Sequence, residues 1–168
     1  MHKSNWRKSV LLGTIVVSSL LLWSTTAAKS SEYLYGYNLA SAERFVFDPK
    51  RLHWKAIDAN GKVVRSGEAS GGRHYCRDTG RYCRTPVGRF HVSYKGGAGC
   101  KSSRYPVGKG GSPMPYCMYF SKNYAVHGSY HVPDYNASHG CIRIHPKDAK
   151  WLYYNFMKVG TTVIVKSY

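Results

Sequence analysis

The stretch NASHGCIRIHP, residues 136–146, sets one cysteine between a glycine and an isoleucine, with His139 two residues before it and Arg143 two after. What surrounds it is easier to read than the cysteine itself. Pro146 stands where a first-turn proline opens a helix, and KDAKWLYYNFMK (147–158) follows. Ala149, Leu152, Tyr153 and Phe156 recur there at helical spacing, which predicts core packing, and Gly160 stands in the C′ role. TTVIVKSY (161–168) reads as a last strand.

Upstream the pattern is β. RLHWKAID and KVVRSGEA flank an Asn60-Gly61 pair, a short-range hairpin signal. GGRHYCRDTGRYCR (71–84) is a loop rich in Gly and Arg. TPVGRFHVSYK (85–95) returns to strand, with Val87 and Phe90, or His91 and Tyr94, as the inward sets. GGAGCKSSRYPVGKGGSPMPYC (96–117) is a long Gly/Pro/Ser loop, and a loop of that length in a compact domain is functional or stapled. MYFSKNYAVHG (118–128) reads as one or two strands ending at His127. The expectation is a mainly β domain over 49–168, a curled or sandwich-like sheet with one short helix after the cysteine motif. Residues 29–48 are expected to be a linker or a first edge strand.

The first 28 residues stand apart. Lys3, Arg7 and Lys8 precede fourteen apolar-run residues, Val10–Trp23, and then STTAA offers Thr26 and Ala28 as small cleavage-site residues. That order is a secretory signal peptide. Ser9–Ala28 is uncharged for twenty residues, so an uncleaved inner-membrane anchor is the rival reading. Either one implies an oxidising compartment in which disulfides persist, with the periplasm as the expected location. Without residues 1–28, 22 Lys and Arg face 8 acids, a net +14. The bases are scattered rather than gathered in one run. For an exported chain this points to anionic cell-wall or membrane-surface polymers, not to nucleic acid.

Five cysteines are an odd number. Cys76 and Cys83 lie close together in one polar loop, and Cys100 and Cys117 bracket the Gly-rich one. Local pairing, 76 with 83 and 100 with 117, is the economical choice among three connectivities, with free thiols as the alternative. Each bridge would stabilise by roughly 2–4 kcal/mol. Cys141 is left over. His127, His131, His139 and His145 lie near it in sequence, yet no Cys-x-x-Cys spacing and no metalloprotease glutamate accompanies them, so no metal and no cofactor are expected. A phosphatase loop would need arginine six residues on, where Lys147 stands. A nucleophile fits better. A histidine near the thiol is the common means of lowering its pKa, and Ser138 and Gly140 give an approach on which successive N–H groups can converge. The competing reading is a buried, unpaired cysteine in a packed strand.

HGSYHVPDYNASHGCIRI (127–144) resembles the signature of the L,D-transpeptidase catalytic domain, the YkuD family: a His-Gly, a loop, then Ser-His-Gly-Cys, a hydrophobic residue and Arg. TPVGRF (85–90), MPYCMYF (114–120) and the helix-glycine-strand tail are similar to the family's other segments, in family order. The resemblance implies a β-sandwich with Cys141 as nucleophile, His127 as base and the Gly128 carbonyl orienting the imidazole. It implies an oxyanion hole from the Gly140 and Cys141 N–H groups, and substrate-binding roles for Ser138, His139 and Arg143. The implied activity is a peptidoglycan L,D-transpeptidase working through a cysteine thioester on stem peptides. The alternatives are an L,D-carboxypeptidase or amidase-type hydrolase, or a wall-binding or host-interaction protein without chemistry. The cysteine-bearing loops depart from the common pattern and resemble the family's enhanced-entry branch.

Overall fold

A computed structural model describes residues 42–168. The signal or anchor expectation therefore falls outside the described residues, and so do residues 29–41. The chain runs β1 (Arg44–Asp48), β2 (His53–Ile57), β3 (Val63–Ser70), β4 (Tyr75–Cys76), β5 (Arg81–Tyr82), β6 (Gly88–His91), β7 (Tyr94–Lys95), β8 (Met118–Ser121), β9 (Tyr124–Gly128), β10 (Ile142–Ile144), α1 (Pro146–Asn155) and β11 (Thr162–Val165). Nine strands form one sheet in the order β6-β11-β1-β2-β3-β10-β9-β8-β7, and β4 with β5 make a separate hairpin. β1 is parallel to β11 and β10 is parallel to β9.

Alternation drives the pairing. Phe45 and Phe47 of β1 and Trp54 and Ala56 of β2 point inward, and all four are buried. Val163 and Val165 of β11, Val126 of β9, Met118 and Phe120 of β8 and Ile142 and Ile144 of β10 join them in one cluster. The sheet curls on itself to close this core: Phe90 of β6 meets Phe120 of β8 with ring centroids 5.5 Å apart. Ala149, Leu152, Phe156 and Met157, from α1 and the turn after it, fill the same cluster. Among the described residues no helix is long and apolar enough to cross a membrane.

Several expectations change. Residues 44–48 are not an edge strand but an internal one, between β11 and β2. Its neighbour β11 comes from the far end of the chain, so nothing local marks β1 as internal. The β2–β3 connection is longer than a two-residue Asn-Gly turn. Asp58 organises it, its carboxylate accepting the Asn60 and Lys62 N–H groups at 2.9 Å each, while Gly61 takes φ +83°. In the Thr85–Lys95 segment, Phe90 and Val92 face the core, whereas Val87, His91 and Tyr94 are exposed. Gly160 lies beyond the cap of α1 at Phe156. It takes φ +92° in the turn into β11 and donates its N–H to the Val92 carbonyl at 2.8 Å.

Both loops are stapled as local pairing requires, Cys76 to Cys83 and Cys100 to Cys117, and Cys141 is free. Gly96 has to be glycine at the second staple, because a Cβ there would lie 2.6 Å from Cys117 Sγ.

Phe45 stacks on Trp54 at 5.7 Å and 15° in the middle of this core. Phe45→Ala is expected to cost about 3–5 kcal/mol, read from the shift of the guanidinium midpoint. A loss below about 1 kcal/mol would mean that the two sheet halves do not close over this pair.

Candidate active site

The site is built on the parallel pair β9 and β10. Their register sets Ile142 against Val126 and Arg143 against His127. Side chains alternate across a strand, so Val126, Ile142 and Ile144 enter the core. His127, Cys141 and Arg143 then share the opposite face, and all three line one cavity of about 730 Å³. The remaining walls come from Arg81, from 102–105 and 112–115 of the stapled loop, from Tyr119 and Lys122–Tyr124, from Gly128–His131, and from Ser138 and His139.

The turn into Cys141 is held from both sides. Gly140 has φ +127°, and Tyr124 occupies the space a Cβ would need, so no larger residue fits without displacing that ring. Ser138 Oγ accepts the Gly140 N–H at 2.9 Å and donates to the Cys141 carbonyl at 2.5 Å. Ahead of the turn, residues 135–138 are tied to the end of β3. Ser70 Oγ donates to the Tyr135 carbonyl at 2.7 Å and accepts the Ala137 N–H at 3.1 Å. Asn136 bridges Gly71 N–H and the Pro49 carbonyl, and Arg73 Nε donates to the Ala137 carbonyl at 3.0 Å. Thr85 Oγ1 accepts the Gly72 N–H at 3.0 Å and so fixes the strand end that bridges to Ser138. Sequence reasoning missed Ser70, Arg73, Tyr124 and Arg81. Their partners lie tens of residues away, and no local pattern signals them.

His127 is buried, and its Nδ1 is 2.8 Å from the Gly128 carbonyl. That contact makes Nδ1 the protonated nitrogen and leaves Nε2 as the free acceptor. Cys141 Sγ is half-buried, 3.8 Å from the Asn123 carbonyl. Arg143 carries its charge to the cavity wall, and none of the four ion pairs among the described residues includes it. His139 points to the stapled loops: Nε2 pairs with Asp78 at 2.7 Å and the ring stacks on Tyr105 at 4.0 Å. His145 lies apart, near Glu68 at 3.2 Å, and His131 is exposed at the rim. Cys76, Asp78 and His139 come within 4.8 Å of one another, but the Cys76 sulfur belongs to a disulfide and has no thiolate to offer a metal.

Two expectations are corrected here. The Gly140 N–H is committed to Ser138 Oγ, so it does not stand beside the Cys141 N–H as a free oxyanion donor. The thiol is not depressed. Burial pushes Cys141 above its ordinary value of 9.0, and contacts with the Ala125 backbone and Arg143 only partly oppose this. Burial likewise lowers His127 from 6.5 to about 4, helped by Arg143 and opposed by the Gly128 hydrogen bond. At neutral pH the pair rests as thiol and neutral imidazole, not as thiolate and imidazolium.

A sequence model of the YkuD family, the L,D-transpeptidase catalytic domain, matches residues 43–165. Among solved structures, the L,D-transpeptidase from Xylanimonas cellulosilytica is 32% identical, with a TM-score of 0.65 over 75% of this chain and 61% of that one. L,D-transpeptidase 3 from Mycobacterium tuberculosis, in complex with a faropenem-derived adduct, is 26% identical, with a TM-score of 0.59 over 75% of this chain and 60% of that one. A mutant of the Enterococcus faecium L,D-transpeptidase is 25% identical, with a TM-score of 0.60 over 76% and 50%. The chain thus spans between half and two thirds of the length of these relatives. No curated protein is significantly similar to it.

Iodoacetamide labelling of the native protein without reductant should modify Cys141 alone, at a rate still climbing above pH 9. A plateau between pH 5 and 8 would reveal a preformed ion pair and overturn the resting state described above. His127 also sets a pH dependence of stability. The unfolded chain takes up this proton near 6.5 and the folded one only near 4. Stability is therefore unaffected above 6.5 and falls as pH drops towards 4, by about 3 kcal/mol in all. Denaturation of wild type and His127→Gln from pH 7 to 4 should show the wild type losing more. Parallel curves would rule this out.

Proposed function

Because the chain belongs to the L,D-transpeptidase catalytic domain family, we propose that it is an exported, periplasmic acyltransferase acting on peptidoglycan stem peptides through a thioester at Cys141. The observation that carries this reading is the shared face of Cys141 and a neutral His127. They open into a cavity lined by Arg81, Arg104, Lys122 and Arg143 and, among the described residues, by no carboxylate. A stem peptide is rich in carboxylates, and such a cavity favours them through charge-assisted hydrogen bonds.

The donor is a tetrapeptide whose fourth residue is D-alanine. Cys141 Sγ attacks the carbonyl carbon of the third residue while Nε2 of His127 takes the thiol proton. The Gly128 carbonyl, on Nδ1–H, steadies the imidazolium that forms. The Cys141 N–H receives the developing oxyanion, and Gly140 can add its own only if the Ser138 hydroxyl turns away. The C–N bond to D-alanine then breaks, and the leaving amine takes the proton from His127. An acceptor amine gives a proton to His127, attacks the thioester carbon and restores the thiol. Arg143, beside Cys141 and without an acidic partner, holds a donor carboxylate. Ser138 and His139 act on the turn and the loops rather than on the bond broken.

The neutral resting pair suits this chemistry. An imidazole at about 4 is unprotonated throughout the physiological range and ready to accept. No ion pair has to form before substrate arrives, so proton transfer accompanies attack.

The relative from Mycobacterium tuberculosis carries a faropenem-derived adduct. A penem or carbapenem should acylate this chain once, seen as a single adduct by intact-mass spectrometry. The adduct should be absent in Cys141→Ala and form at least a hundredfold more slowly in His127→Ala. Purified protein given a diaminopimelate-containing tetrapeptide should release D-alanine. Cross-linked product identifies a transpeptidase and free tripeptide a carboxypeptidase. Neither D-alanine nor adduct would leave a binding protein as the better account.

A further inference from the structure

Arg81 belongs to the short hairpin closed by Cys76 and Cys83, yet its guanidinium reaches the wall of the catalytic cavity. It donates to the Tyr105 hydroxyl at 2.5 Å and also meets Tyr124, the ring that sits against Gly140. Both partners are phenol hydroxyls, and neither is a carboxylate. Arg104, next to Tyr105 on the other stapled loop, likewise forms no ion pair among the described residues.

A second cleft of about 340 Å³ adjoins the catalytic cavity, and Arg81, Arg104 and Tyr105 line both. Its one acid, Asp78, is engaged by His139. Two guanidinium groups without carboxylate partners thus stand where the two spaces meet, on the Tyr124 side of Cys141. Arg143 stands on the His127 side, by the strand register. A transfer between two acidic peptides needs an anion contact for each, and one arginine cannot serve both.

We propose that Arg81 and Arg104 form a carboxylate subsite, separate from Arg143, that receives the free carboxylate of the incoming acceptor peptide. This rests on the acyl-transfer reading above and names the acceptor class: a peptide with a free carboxylate near its amine. A forked guanidinium matches a carboxylate through two parallel N–H bonds, which an amide cannot reproduce. The hairpin disulfide holds Arg81 in place without a large apolar core beneath it.

The test uses binding without turnover. In the Cys141→Ala background, calorimetry compares a diaminopimelate-containing tripeptide with the same peptide amidated at diaminopimelate. The acid form should bind about tenfold tighter. Arg81→Gln with Arg104→Gln should bring that ratio below about twofold, while Arg81→Lys should retain part of it. Tyr105→Phe keeps the ring stacked on His139 and should leave the ratio intact. Collapse of the ratio in Tyr105→Phe would make Arg81 a scaffold for the loop and overturn the subsite. So would collapse in Arg143→Gln, or no binding of the acid form at all. D-alanine release by the wild type is scored separately. Its failure removes the acyl-transfer reading, whereas an unmoved ratio with release intact removes only the subsite.

Discussion

The register of β9 against β10 is the constraint on which the rest depends. Because side chains alternate with a period of two, one pairing decides two things at once. It sends Val126, Ile142 and Ile144 into the core and turns His127, Cys141 and Arg143 to the cavity. A slip by one residue would bury an arginine and a histidine and expose two isoleucines. The hydrophobic core thus holds the register, and the register holds the site. On the other flank β3 pairs Ser70 with Arg143 and Ala69 with Ile144. Ser70 then spends its hydroxyl on the chain just ahead of the cysteine turn, so one short strand end serves both sheet and site.

Much of this was legible in the chain itself. The Cys141 motif, the helix opening at Pro146 and the final strand rest on short-range spacing, and the structure places all three elements. The two staples were legible for the same reason, since closing a short loop restricts the chain least. What stayed hidden was non-local. β1 looks like linker or edge because its parallel partner β11 lies at the opposite end of the chain. Gly140 offers an N–H to an oxyanion on paper, but Ser138, two residues back, claims it once the turn is formed. A histidine near a cysteine suggests a lowered thiol pKa. Here burial is the largest influence on both groups, and it raises the thiol and lowers the imidazole.

The stapled loops pose a separate problem of stability. Residues 96–117 are mostly glycine, serine and proline, with few side chains that could hold them by burial. Their ordering entropy has to be met elsewhere. The Cys100–Cys117 bridge lowers it on the unfolded side. On the folded side, the Arg81–Tyr105 bond and the His139–Asp78 pair fasten the two loops to each other and to the cysteine turn. Removing a cysteine from either loop would therefore reach the cavity wall as well as the surface.

That bridge also bears on Cys141 directly. Met114, Cys117 and Ala125 form a small buried cluster of their own, and Cys100, Tyr119 and Cys141 pack against it. The disulfide thus contributes to the apolar cluster on which Cys141 packs. A thiolate next to a disulfide invites exchange, because the thiolate and not the thiol attacks sulfur. Burial raises the Cys141 pKa, and a thiol held protonated would be slow to attack a staple near it. In the proposed reaction His127 would still take the proton once a carbonyl is in place. In the proposed reaction one environment would thus protect the disulfide packed on the same cluster and still leave the thiol available to an acyl donor, two demands that a preformed thiolate would not meet together.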